Sequence, residues 1–173
     1  MANNHSDYTI IRVTPTLTAS EAYSVGDVLF TATEIPNAVR GEGGCSKVLG
    51  GFILDQDRDT FEVDLLFTEL STAIGTIHDT ANISDGDMEA IGYCGSLKYD
   101  SSQGVSGTTL DTVKIGKLQS LFGGTDGEHF DNSMLIQATA GSTSVYVSGV
   151  LAAGTPTFAA VDDVDIILHI QYR

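Results

Sequence analysis

The sequence predicts an all-β fold: a jelly roll or a related two-sheet β-sandwich with one short helix. Three observations lead there. Apolar residues come in short runs that often alternate with polar ones, as in Phe61-Glu62-Val63-Asp64-Leu65, which gives a strand one face for a core and one for water. Gly, Ser, Thr and Asp break these runs again and again, as turns do in all-β proteins. A length of 173 residues with 42% hydrophobic content is enough to fold as one domain around a real core. The domain is expected to span residues 1–173, with a polar N-terminal arm over 1–7.

Taken in order, Tyr8 to Thr14 reads as the first strand, ended by Pro15. Ser20 to Ser24 is a turn, and Gly26 to Thr33 the second strand. Pro36 restricts Ile35 to an extended backbone, and Gly41 to Gly44 form a loop. Ser46 to Leu54 is the third strand, whose paired glycines indicate a bulge or a close neighbour. Asp55 to Thr60 is read as a hairpin turn, with Phe61 to Thr68 as the partner strand. Ser84 to Ile91 is the helix: Ser84 caps it, Asp87 follows three residues on, and Gly92 stops it. Gly92 to Tyr99 is a strand, and Ser101 to Gly107 a loop. Thr112 to Phe122 reads as strand or mixed structure, and Gly123 to Asn132 as a long loop. Met134 to Thr139, Ser144 to Leu151 and Val164 to Tyr172 are closing strands, the last two separated at Gly154-Thr155-Pro156-Thr157. The order of strands in the sheets is not readable from this pattern.

Charge narrows the function classes. Twenty-three acidic residues against eight Lys and Arg give a formal net charge of −15, which repels phosphate backbones and argues against nucleic acid as a partner. It favours solubility and docking onto a basic surface. No stretch approaches the roughly 20 apolar residues that span a bilayer, and the polar start does not read as a secretory signal. No membrane partner is expected, and synthesis in a cytoplasm is. Cys45 and Cys94 are too few for a metal cage and read as buried free thiols rather than a disulfide.

Candidate chemistry is sparse. Asp55-Gln56-Asp57-Arg58-Asp59 resembles the opening of a calcium loop, but Thr60 and Leu66 stand where such a loop needs glycine and glutamate. It is read as an Asp-rich turn. Asp126, Glu128, His129 and Asp131 form the densest polar cluster, in a glycine-rich loop without a second histidine. No serine lies in a GxSxG elbow, and Gly123-Gly124-Thr125-Asp126-Gly127 lacks the lysine of a phosphate loop. Asp162 and Asp163 make an acidic turn before the last strand. No cofactor, metal or catalytic residue is expected.

Several stretches in succession resemble one family: Thr14-Pro15-Thr16-Leu17, Gly26-Asp27-Val28-Leu29, Ile35-Pro36-Asn37-Ala38-Val39, Asp64-Leu65-Leu66-Phe67, Ser84-Asp85 with Asp87-Met88, and the end from Ser144 to Thr157. They are similar to small virion structural proteins of tailed bacteriophages, many from aquatic hosts. The resemblance implies a virion part without catalysis. A compact, β-rich, DNA-repelling chain suits a head decoration, or cement, protein on the outer capsid surface, with the major capsid protein as partner and self-association, such as a trimer, beside it. The contact residues expected are His5, Arg40, Glu42, Asp126, Glu128, Asp162 and Asp163. The alternatives are a tail, neck or fibre component and, from a different class, a hydrolase of host-surface polysaccharide, which would need a close carboxylate pair.

Overall fold

The computed structural model describes residues 7–101, 108–109, 113–120 and 133–173. The elements run β1 Tyr8–Val13, β2 Val28–Ile35, β3 Cys45–Asp55, β4 Phe61–Thr68, α1 Asp85–Ala90, β5 Tyr93–Asp100, β6 Thr108–Thr109, β7 Lys114–Ser120, β8 Met134–Gln137, β9 Val145–Gly154 and β10 Val164–Tyr172. The chain is all-β with one short helix. The loops at Gly123 to Asn132 and over most of Ser101 to Gly107 lie outside the described residues.

Every strand pairing is antiparallel, and the main pairs nest: β1 with β10, β2 with β9, β3 with β7, β4 with β5. This nesting is a long two-stranded ribbon folded over itself, the jelly-roll arrangement. One layer runs β1-β10-β3-β7 and the other β5-β4-β9-β2. The layers are not separate sheets, however. The Lys114–Lys117 half of β7 pairs with β3, and its Leu118–Ser120 half pairs with β5. A single ten-stranded sheet therefore curls from one layer into the other.

Alternation places the core as the sequence predicts. Along β4, Phe61, Val63, Leu65 and Phe67 are buried while Glu62, Asp64 and Leu66 are half-buried on the other face. Phe61 and Phe158 meet edge to face at 5.7 Å between the layers, and Tyr23 meets Phe158 at 5.9 Å. A second, smaller cluster of Val28, Ile74 and Ile91 lies under the excursion from 69 to 92.

One expectation fails. Phe61–Thr68 is not the hairpin partner of β3; both of its edges are taken, by β5 and β9. Asp55 to Thr60 carries the chain across from one layer to the other. Alternation says which face of a strand is buried, not which strand lies beside it. The helix matches its sequence signals: the Ser84 hydroxyl accepts from the Asp87 N–H at 3.1 Å and donates to the Asp87 carboxylate at 2.7 Å.

The glycine pair in β3 does both jobs foreseen for it. The register with β10 slips between His169 and Ile170, so Leu49 is the extra residue of a bulge. A Cβ on Gly51 would collide with the Ile167 carbonyl oxygen and come within 3.1 Å of Leu118. Gly51→Ala is expected to cost roughly 1–3 kcal/mol, because a backbone oxygen cannot step aside. Gly86→Ala, in α1 with nothing within 4 Å of its new methyl, is expected to gain roughly 0.5–1 kcal/mol. Urea unfolding of the two variants checks both signs.

Candidate functional site

The two outer faces of the sandwich differ in charge and in cover. On the first layer, Arg12, Ile167, Phe52 and Lys117 form one row across β1, β10, β3 and β7. Tyr8, Gln171, Lys47 and Leu135 form another across β1, β10, β3 and β8. Ile10 and His169 stand between them. Tyr8, Ile10 and Leu135 are 57%, 67% and 54% exposed. Tyr8, Ile10, Leu49 and His169 line a groove of about 560 Å³. The face is thus apolar with three cations. Its acid among the described residues, Asp165, is buried and spent on the Thr14 hydroxyl at 2.5 Å and the Arg12 guanidinium at 3.6 Å.

The second layer's outer face carries Glu34, Glu62 and Asp64 with Lys98, whose ammonium meets Glu62 at 2.5 Å. The excursion over 69–92 lies on this side, held by Ile74, Ile91 and Met88 against Leu66 and Val150. It bears Glu69, Asp79, Asp85, Asp87 and Glu89, and no Lys or Arg. Composition reports the sum of these charges and not their separation, so the sequence alone could not show, among the described residues, a basic-apolar face opposite a covered acidic one.

The acidic crossover is a structural joint. Asp55, wholly buried, accepts from the N–H groups of Asp57 and Arg58 at 3.0 and 3.2 Å. Asp57 accepts from Ala159 N–H, Asp59 from Thr157 N–H and Asp163 from Ala160 N–H. The Asp57 and Asp59 bonds tie the β3–β4 crossover to the β9–β10 connection. The Asp57 and Asp163 carboxyls also lie in contact with each other. That is a close carboxylate pair, but each member is committed to a main-chain donor. Among the described residues no three His, Cys, Asp or Glu are grouped to hold a metal ion.

The predicted contact residues are not brought together. Arg40 and Glu42 lie just before β3. The Arg40 guanidinium sits 5.0 Å over the Tyr172 ring and 3.4 Å from Asp7. Asp162 and Asp163 lie beyond the far end of β3, beside Gln56. The eleven residues of β3 put roughly 33 Å between its ends at the usual rise. His5, Asp126 and Glu128, with His129 and Asp131, fall outside the described residues. Cys45 and Cys94 are free, as expected, but Cys45 is exposed rather than buried, because it opens β3 at the rim of the sheet. Both thiols line one groove with Tyr93 and Leu135. No helix among the described residues is long and apolar enough to cross a membrane. No protein-family model matches the chain, and no curated protein matches it in sequence.

Burial pushes the Asp55 carboxyl from 3.8 up to about 6, against the bonds from Asp57 and Arg58. Burial likewise raises Asp59, Asp64 and Asp163. A carboxyl that holds its proton more tightly when folded is stabilising only while protonated. Its penalty is absent below about pH 4, grows as pH rises, and is complete above about pH 6. For Asp55 the difference corresponds to about 3 kcal/mol. The melting temperature is therefore expected to fall between pH 4 and 6.5, and Asp55→Asn, which keeps the accepting oxygen, to flatten that fall. Asp57→Ala is expected to lower stability by roughly 0.5–1.5 kcal/mol through loss of the bond to the exposed Ala159 N–H, with no change in heat on calcium titration.

Proposed function

We propose that the chain is a non-enzymatic virion structural module, a decoration or cement protein bound to the outer surface of a tailed-phage head through the major capsid protein. The observation that carries this reading is the outer face of the first layer, which the described residues leave uncovered. It is pre-formed β-structure, so little ordering entropy is lost on docking. It presents Tyr8, Ile10, Phe52 and Leu135 among Arg12, Lys47 and Lys117. Net charge taken alone points to a basic partner. The distribution points to an apolar shell surface rimmed with acids, because these cations stand on the side that the described residues leave open. The acidic excursion over 69–92 then faces solvent and keeps neighbouring particles apart. Many copies bridging shell subunits resist internal pressure by multivalency, with modest area per copy.

Counting copies separates this from a tail, neck or fibre part. Shell coverage requires on the order of hundreds per particle, and a tail component only a handful. Lys117→Glu combined with Leu135→Asp is expected to cut particle occupancy at least about tenfold, while Glu34→Lys on the opposite face leaves it unchanged. Particles lacking the protein should lose infectivity faster on heating, and undiminished heat tolerance would sink the reading.

A further inference from the structure

The curled sheet ends at β1 on one side and β2 on the other. Natural sheets protect such ends with bulges, proline, lysine or a covering segment. β2 is protected: its register slips twice, between Val28 and Phe30 and between Phe30 and Thr33. Residues 77–80 also bridge to its start at Asp27 and Val28. β8 is only four residues long. Among the described residues β1 has no bulge, proline, lysine or covering segment, and its one charge, Arg12, lies 3.6 Å from Asp165. It is six residues in unbroken register with β10. Ile10 on it is the most exposed large apolar side chain among the described residues, at 67%.

Its hydrogen-bonding phase can be read. The Tyr172 N–H donates to the Asp7 carbonyl at 2.8 Å, so Asp7 and Tyr172 form a hydrogen-bonded pair. Alternation along an antiparallel ladder then turns the N–H and C=O of Ile10 and Arg12 away from β10, toward the open edge. The side chains of these same residues stand on the outer face of the first layer.

We propose that β1 pairs antiparallel with β1 of a second copy about a two-fold axis at Ile10. Centred there, edge-directed groups meet edge-directed groups and outer faces stay with outer faces. Ile10 lies opposite its own copy, and Tyr8 lies opposite Arg12 of the second chain. A slip by one residue would set outward side chains against inward ones. Charge agrees with this pairing. β1 contains no acid, so two molecules of net charge −15 meet where neither concentrates that charge. The Arg12 side chain, 60% exposed beside Asp165, gains an aromatic face on Tyr8 of the second copy. The contact is isologous and closes at two copies, not the three that the sequence suggested. The axis leaves both basic-apolar faces on one side, doubling the platform. The pairing does not depend on the shell-binding reading, since it concerns the purified chain alone.

Light scattering on the eluting full-length protein tests it. At about 100 μM, where even small interfaces assemble, the wild type should show twice 18.2 kDa, about 36 kDa. Ile10→Lys should show 18.2 kDa and keep the melting temperature of the dilute, dissociated wild type, and Ile10→Ser serves if the lysine variant does not fold. In a Cys45→Ser background, Ile10→Cys should form a covalent dimer under mild oxidation, since paired β residues lie within disulfide reach, and Glu34→Cys should not. A monomeric wild type, a three-copy mass, or an Ile10→Lys variant that remains dimeric would overturn the proposal. So would a dimer seen only after residues 1–6 are removed, which would make the chain's own start the occupant of the edge.

Discussion

The architecture depends on one strand serving two layers. β7 is hydrogen-bonded to β3 over its first half and to β5 over its second. It joins the layers at one side and fixes their separation there. The joint is tight: Gly116 in β7 lies against the Tyr99 ring, where no Cβ would fit. Tyr99 in turn packs on Phe61 at 5.1 Å, and Phe61 on Phe158. The aromatic core thus runs from the joint into the space between the layers. Closing one side leaves β1 and β2 as the ends of the sheet at the other, and among the described residues β2 alone is bulged and partly covered.

The connections that cross between layers are held by carboxylates as well as by the buried Phe158. Asp55, Asp57, Asp59 and Asp163 each accept main-chain N–H groups from the crossover or from the β9–β10 connection. Short acidic side chains suit this use, since they reach adjacent donors in turns and cost little rotamer freedom. The cost appears as desolvation, which is why burial raises these groups. The same acids that the sequence offers as a calcium loop or a docking patch are largely occupied with folding.

Charge has a second level of organisation. The excursion over 69–92 covers a small apolar cluster on the second layer and brings five acids to that side. The first layer keeps three cations and several exposed apolar side chains on its outer face. That basic-apolar face lies directly beside the β1 edge.

Much of this was legible in the residues themselves. Alternation in Phe61–Leu65 told which side chains of β4 are buried. Ser84, Asp87 and Gly92 marked the helix, and the glycine pair in β3 marked both a bulge and a close approach. These signals are local, because side-chain direction and capping are set within a few residues of backbone. Which strand lies beside which was not legible: β4 follows β3 in sequence but pairs with β5 and β9. Nor were the separation of the two charged faces, the roughly β3-long gap between Arg40 and Asp163, or the unguarded edge. Each of these depends on contacts between segments far apart in the chain. Such contacts are chosen by the burial of the whole core, which no local pattern encodes.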